Sequence, residues 1–203
     1  GTVTAQATGL PIAGASVLAN RNTCCGNGYA TTAADGSYTI TGLAPGSYRV
    51  SASASGHAPE FFNNAYDYNA ATLLALSEGA NPGGVNFVLA PEAKITGTVT
   101  DQATGLPIVG AQVNATRDTC CGGGGATTGA DGSYTITGLA PGSYLVRAEA
   151  VGYVEEYFDS TYDYHAATFV AVAEGVTAGG VHFALGPGGS ISGTVTDQAT
   201  GLP

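Results

Sequence analysis

Charged side chains, and cationic ones above all, are scarce in this sequence. Only 10% of its 203 residues are charged, and 5 Lys and Arg stand against 15 Asp and Glu, which gives a formal net charge of -10. A surface with so few cations repels phosphate backbones and anionic lipid headgroups, because it cannot neutralise them. The composition therefore argues against nucleic acid and membrane surfaces as partners.

Long apolar runs and a recognisable leader are also missing. No run approaches the roughly 18 apolar residues that span a bilayer, so we expect no membrane insertion. The chain does not start with a charged segment followed by an apolar one, the pattern of a secretory signal peptide. Because Gly1 lies inside a repeated motif, we expect the natural polypeptide to begin earlier.

The main feature that the sequence does contain is a repeat. The motif GTVT(A/D)QATGLP occupies residues 1–11, 97–107 and 193–203, at an interval of 96 residues each time. A period of this length exceeds the roughly 20 to 50 residues of solenoid repeats and matches the size of an autonomous domain. The sequence therefore predicts one module in residues 1–93, a second in 94–189, and in 190–203 the first strand of a third, free to pair with a neighbouring chain.

Each copy has the pattern of an all-β protein. Apolar residues alternate with polar ones, as in residues 133–137 and 143–150, and turn sequences such as Asp131-Gly132 and Ala140-Pro141-Gly142 separate these runs. The spacing predicts an antiparallel two-sheet sandwich of about seven strands per copy, in the manner of immunoglobulin-like domains. The best helix candidates are residues 69–76 and 165–172, although residues 168–172 suit a strand better.

Several of these motifs together resemble a known family. The order GTVTD, TGLPIVGA, DGSY and GLAPGSY in residues 97–144, repeated in the other copy, is similar to the carboxypeptidase regulatory-like domain. The resemblance implies a transthyretin-like fold and an extracellular or cell-surface location, since similar modules occur in tandem in secreted and surface proteins of prokaryotes. It also implies no catalytic residues. A lysine crosslink cannot recur in every module, because Lys94 is the only lysine and its counterpart is Ser190.

Shared catalytic constellations are missing too. His57, His165 and His182 have no histidine at the matching position of the other copy, so an imidazole site is not a property of the module. Nucleophile-elbow, zinc-protease and phosphate-loop motifs are absent. Carboxylates do recur, as in Glu60 and Glu156, but a glycosidase needs two of them across a cleft, which small sandwiches seldom have. We therefore predict that the protein is not an enzyme.

Two paired cysteines stand out in each copy. Cys24 and Cys25 correspond to Cys120 and Cys121, and glycines follow each pair. Three interpretations stay open: a disulfide within each pair, disulfides between modules or chains, and reduced thiols that bind metal. Adjacent residues can join only where the chain turns sharply, and no further ligands complete a metal site. We favour an oxidised, structural role and predict no cofactor, with a calcium site at Asp101 or Asp131 as the alternative.

An aromatic segment follows in each copy. The candidate contact residues are Tyr66, Tyr68 and Phe62 in the first copy and Tyr162, Tyr164 and Phe158 in the second. These rings either cover one end of the sandwich or contact a neighbouring module, a neighbouring chain or a sugar ring. The third motif adds candidates for strand exchange, namely Ile191, Gly193 and Val195, since an unpaired strand exposes its hydrogen-bonding groups.

These observations lead to one functional hypothesis and one alternative. The hypothesis is a structural repeat of an extracellular fibre, stalk or surface layer, whose modules assemble head to tail with copies of the same chain. The alternative is a carbohydrate-binding or spacer module of a secreted protein, with polysaccharide as the partner.

Overall fold

The chain is almost entirely β-structure. The computed structural model describes residues 1–23, 26–119 and 122–202, and it confirms the predicted all-β class. The described residues contain one helical turn, a 3-10 helix at Tyr164–Ala166. No helical segment among them has the length and hydropathy of a membrane span.

Strands β1 to β7 form a first sandwich. They are β1 (Val3–Ala5), β2 (Ser16–Arg21), β3 (Gly28–Thr31), β4 (Gly46–Ser53), β5 (Glu60–Phe61), β6 (Leu73–Leu76) and β7 (Phe87–Leu89). One sheet has the order β3-β2-β4, with β5 and β6 both paired to β4. The opposite sheet pairs β1 with β7.

Strands β8 to β16 form a second sandwich. They are β8 (Ala93–Asp101), β9 (Gln112–Arg117), β10 (Gly123–Thr127), β11 (Ser133–Leu139), β12 (Gly142–Glu149), β13 (Glu156–Tyr157), β14 (Phe169–Val172), β15 (Thr177–Ala178) and β16 (Phe183–Leu185). One sheet has the order β10-β9-β12, with β13 and β14 both on β12, and the other places β11, β15 and β16 on β8.

The predicted antiparallel pairing is confirmed for most strands, and three strand pairs differ from it. The pairs β1–β7, β8–β15 and β8–β16 are parallel. Parallel neighbours need a long connection instead of a tight hairpin, and these strands lie far apart in the sequence. In each sandwich the first and last strands therefore pair with each other, and the tight-turn sequences did not predict this pairing.

Neither helix candidate is a regular helix. Residues 73–76 and 169–172 are the strands β6 and β14, as the alternating pattern of residues 168–172 indicated. The turn Tyr164–Ala166 that precedes β14 begins at Asp163, whose side chain accepts a hydrogen bond from His165 N.

Each sandwich has its own core of alternating strand residues. Val3, Val17, Phe87 and Leu89 lie in the first core, and the largest side chains of the second include Ile95, Val99, Ile136, Phe183 and Leu185. Four buried tyrosines complete the two cores: Tyr38, Tyr48, Tyr134 and Tyr144. Their hydroxyls donate to backbone carbonyls at 2.7 to 2.8 Å, so each ring fills the core without leaving a buried polar atom unpaired.

The two sandwiches differ in one sheet. In the second, β11 pairs with β8 over residues 133–139. The matching segment of the first sandwich makes only an isolated bridge between Ser37 and Thr2, since Gly1 is the counterpart of Gly97 and the sequence includes no counterparts of residues 93–96. A cleft of about 140 Å³ lies beside this segment, lined in part by Ile40, Leu43 and Leu76.

Candidate functional site

The junction between the sandwiches is hydrogen-bonded on both sides. Toward the first sandwich, Ala58 N donates to Ala90 O at 2.9 Å and Glu92 N donates to a backbone oxygen at 3.1 Å. Toward the second, Gly138 N donates to Glu92 Oε2 at 2.8 Å, and another backbone N–H donates to Pro91 O at 3.2 Å. The segment 90–92 is therefore held by both bodies that it joins.

The aromatic loop of the first sandwich, residues 66–68, lies against the second sandwich. Arg117, the last residue of β9, donates from Nη1 to Tyr66 O. Tyr66 also packs against an apolar cluster of Ala58, Ala90 and Ala140, each at most 7% exposed. Because Ala140 belongs to the second sandwich and the other members to the first, the cluster spans the junction.

The acidic residue of this loop also faces the second sandwich. The Thr119 hydroxyl and the Asn69 backbone N–H, in that order, hold the pKa of the Asp67 carboxyl below its ordinary value. The charge of Arg117 lowers the pKa of Asp67 as well. The loop therefore brings an anion to a cationic face, which favours this docked position.

Arg49 of β4 fixes the loop from the side of the first sandwich. Its Nε donates to Tyr68 O at 2.9 Å, and its guanidinium lies 4.2 Å from the centre of the Tyr68 ring. The counterpart of Arg49 in the second sandwich is Leu145. There the equivalent tyrosines, Tyr162 and Tyr164, are 60% and 56% exposed.

A crevice of about 270 Å³ opens beside the junction, with Glu60, Tyr66 and Arg117 in its lining. Glu60 is only 2% exposed. Burial raises the pKa of its carboxyl to about 7, and the charge of Glu174 in the second sandwich contributes to this rise. The Val88 backbone N–H, which donates to Glu60 Oε1 at 3.3 Å, opposes the rise. A carboxyl that changes charge near neutral pH therefore lies between the sandwiches.

The two phenylalanines among the candidate contact residues point inward. Phe62 packs edge-on against Phe87 at 6.3 Å between ring centroids, and Phe158 packs in the same way against Phe183 at 6.5 Å. Both are half-buried and pack against the sandwich cores. Of the four tyrosine candidates, Tyr66 lies at the junction and Tyr68 packs on Arg49 of the first sandwich. Tyr162 and Tyr164 lie on the surface.

The strand-exchange candidates are exposed. Ile191 and Val195 are fully or nearly fully exposed, and Gly193 has no neighbouring atom where a Cβ would lie. Among the residues that the structure describes, they belong to no strand. The cysteine prediction concerns Cys24, Cys25, Cys120 and Cys121, which lie outside the described residues.

The two calcium candidates each accept hydrogen bonds from protein groups. Asp101 accepts from Thr104 N at 2.7 Å and from the Tyr153 hydroxyl at 2.9 Å, and Asp131 accepts from the Ser133 hydroxyl at 2.7 Å. In residues 1–23, 26–119 and 122–202, no three His, Cys, Asp or Glu side chains come together as a metal-binding group.

Sequence reasoning missed Arg117, Arg49 and Glu60 as junction residues. The sequence did contain a signal for Arg117. It is one of only five cationic residues, and the matching position of the first copy, 96 residues earlier, is also an arginine, Arg21. No comparable signal existed for Arg49, whose counterpart is a leucine. Glu60 recurs as Glu156, but only the fold shows that it lies beside another module.

These features define a class of protein: β-sandwich modules in tandem, joined by a hydrogen-bonded junction. Residues 1–88 and 94–185 each match the carboxypeptidase regulatory-like domain family. The chain belongs to this family, as the motif order indicated. None of the curated proteins matches it.

Several solved structures are similar to the chain. The minor pilin of Streptococcus agalactiae is 16% identical, with a TM-score of 0.38 over 92% of this chain and 88% of the pilin. A streptococcal ancillary pilin is 14% identical, with a TM-score of 0.40 over 92% of this chain and 60% of that one. The shaft pilin SpaA of Lactobacillus rhamnosus GG is 13% identical, with a TM-score of 0.37 over 92% of each chain.

Proposed function

We propose that this chain is a structural repeat of an extracellular or cell-surface fibre, stalk or surface layer, and that its modules follow one another head to tail. The modules are residues 1–93 and 94–189, and residues 190–203 begin a third. The partner of each module is another module of the same kind. The observation that carries this proposal is the segment 90–92, which is hydrogen-bonded to both sandwiches.

A structural role requires that one module orient the next. Domains joined by a linker alone move relative to one another by default. Here the Tyr66 loop adds a second restraint, because it packs on Ala140 and accepts a hydrogen bond from Arg117. Tension or bending on such a chain is then resisted both by the segment 90–92 and by the Tyr66 loop.

The junction gives a direct test in solution. We expect the two modules to tumble as one body in ¹⁵N relaxation measurements, and the double variant Tyr66→Ala/Asp67→Ala to separate their correlation times. The matched control is Tyr162→Ala/Asp163→Ala, which changes the same loop away from this junction. Independent tumbling of the wild-type modules would refute a structural role. Electron microscopy of the native material should also show filaments or layers.

The exposed second loop favours one other candidate, polysaccharide binding. Tyr162 and Tyr164 present rings that are more than half exposed, and tyrosine offers a sugar both an apolar face and a polar edge. Affinity electrophoresis in polysaccharide gels should then show retardation that Tyr162→Ala removes. Tyr66→Ala is the control, because its ring lies at the junction. Equal mobility with and without polysaccharide would dismiss this candidate.

A further inference from the structure

The second sandwich carries an acceptor sequence for N-linked sugars on its outer surface. Asn114, Ala115 and Thr116 have the order Asn-x-Thr, in which x is not proline. All three residues belong to β9. Because alternate residues of a strand share a face, the buried Ala115 lies on the core side, and Asn114 and Thr116 lie on the outer side. The asparagine is half-buried and the threonine is exposed.

The neighbouring strand leaves room beside this asparagine. Gly125 of β10 lies directly opposite Asn114. A Cβ at Gly125 would lie 2.9 Å from Asn114 Oδ1, and the other nearest atoms are Asn114 Cγ and the backbone oxygen of Val113. Glycine weakens the interior of a strand and often marks a place where another group approaches closely. Position 125 therefore keeps space for a group bound to Asn114.

The first sandwich has the same strands but neither feature. Leu18 takes the place of Asn114, and Tyr29 takes the place of Gly125. These two side chains lie opposite each other on β2 and β3. The acceptor threonine is replaced by Asn20, so the acceptor sequence is missing there. The asparagine acceptor and the glycine opposite it thus occur together in one module, and both are replaced in the other.

This outer face stays open beside a preceding module and beside a following one. The second sandwich has a module before it, which contacts Arg117 and Ala140, and Asn114 is accessible with that module in place. The first sandwich has a module after it, and there Leu18 and Tyr29 are 37% and 81% exposed. The contact between modules therefore does not cover the position of Asn114.

The same face borders a sheet edge that its own side chains protect poorly. Among the described strands, β10 is the last of its sheet, and three of its five residues, 123–125, are glycines. Proteins commonly blunt such edges with charged side chains, proline, bulges or a covering segment. A bulky group on β9, one strand away, would give this edge the protection that its own residues lack.

We propose that Asn114 is an N-glycosylation site, and that its oligosaccharide lies over Gly125 on the outer face of β9 and β10. The donor is an oligosaccharide joined to a lipid through diphosphate, and the catalyst is a separate oligosaccharyl transferase. A bond forms between Asn114 Nδ2 and the anomeric carbon of the first sugar, while the bond from that carbon to the diphosphate oxygen breaks. The diphosphate leaves with the bonding electrons, and the amide nitrogen gives one proton to a base of the transferase.

This modification goes beyond the proposed function, because it depends on a single module and not on how modules assemble. Loss of the fibre proposal would leave it standing, and loss of the glycan would leave the tumbling test of the junction unchanged.

Mass spectrometry of the protein isolated from its native source tests the site. Trypsin cuts after Lys94 and Arg117, and the peptide 95–117 contains Asn114 as its single asparagine. We expect this peptide to carry the added mass of an oligosaccharide, which electron-transfer fragmentation assigns to Asn114. The internal control is the peptide 50–94, which has five asparagines but no Asn-x-Ser/Thr sequence and should keep its unmodified mass. An unmodified peptide 95–117, or a sugar on one of its threonines, would overturn the proposal.

Variants expressed in the source organism separate the acceptor from the space beside it. Asn114→Gln and Thr116→Ala should each lose the added mass completely, whereas Thr116→Ser should keep it. Gly125→Tyr, which introduces the residue of the first sandwich, should lower the Tm of the glycosylated chain more than it lowers the Tm of the Asn114→Gln chain. Added mass that persists in Asn114→Gln would overturn the site, and equal changes of Tm in the two backgrounds would overturn the position of the glycan over Gly125.

Discussion

Replacing Glu60 with glutamine should change how the stability of the chain depends on pH. Burial raises the pKa of Glu60 from the ordinary value of 4.5 to about 7, and the charge of Glu174 adds to the rise. Glutamine keeps an oxygen that can accept from the Val88 N–H but carries no charge at any pH. The variant therefore removes the ionisation and leaves the shape and the backbone hydrogen bond.

The sign and size of the effect follow from the raised pKa. Between pH 4.5 and 7 the folded carboxyl keeps its proton while the unfolded one loses it, so the free energy of unfolding falls as pH rises. One pH unit of pKa difference is worth about 1.4 kcal/mol, which gives a total loss of about 3 kcal/mol. The contribution is fully present below pH 4.5 and gone above about pH 7.

Urea unfolding followed by circular dichroism measures this effect. The difference in the free energy of unfolding between Glu60→Gln and the wild type should be about 2.5 kcal/mol more favourable to the variant at about pH 8 than at about pH 5. The matched control is Glu156→Gln, since burial also raises the pKa of Glu156 but no neighbouring carboxylate contributes. Glu174→Gln should show part of the gain, because it removes a charge that helps to raise the pKa of Glu60.

A pH-independent difference between Glu60→Gln and the wild type would refute this reasoning. It would mean that Glu60 ionises as it does in the unfolded chain, and hence that the junction is open to water around it. A gain in Glu156→Gln as large as that in Glu60→Gln would show instead that burial alone, without Glu174, sets the effect.

Two further substitutions test the packing. Gly97→Ala should destabilise the second sandwich by several kcal/mol, because a Cβ there would lie 1.6 Å from Val181 O. The control is Gly83→Ala, which should be tolerated because no atom lies within 4 Å of the added Cβ. Equal melting temperatures of the two variants would contradict this prediction. Thr128→Val should lose about 1 to 3 kcal/mol, because its buried hydroxyl makes two backbone hydrogen bonds of 2.6 and 2.9 Å. Thr127→Val at an exposed site is the control, and an equal loss in both would show that burial of the hydroxyl is immaterial.

Much of the fold was predictable because strands leave a local pattern. The alternation in residues 133–137 and 143–150 gave β11 and β12, and the motif order gave the family. The parallel pairs were not predictable in this way, since β8 meets β16 through a connection of some eighty residues whose closure leaves no local signal.

The candidate site was likewise predictable only in part from the sequence. The tyrosines of residues 66–68 and 162–164 were recognisable as contact candidates, because exposed aromatic residues outside strands need an explanation. That the first loop lies at a contact between the sandwiches was decided by the fold. Phe62, adjacent in sequence to this region, turned out to pack on Phe87 in the core.

The sequence alone determined the 96-residue repeat, the all-β class and the shortage of cations, because these depend on the order and kind of residues. Only the tertiary structure decided that Arg117 meets Tyr66 and that the charge of Glu174 acts on Glu60. Repeated sequences code for identical modules, but a contact between modules depends on which surfaces the chain brings together, and that is a property of three-dimensional position.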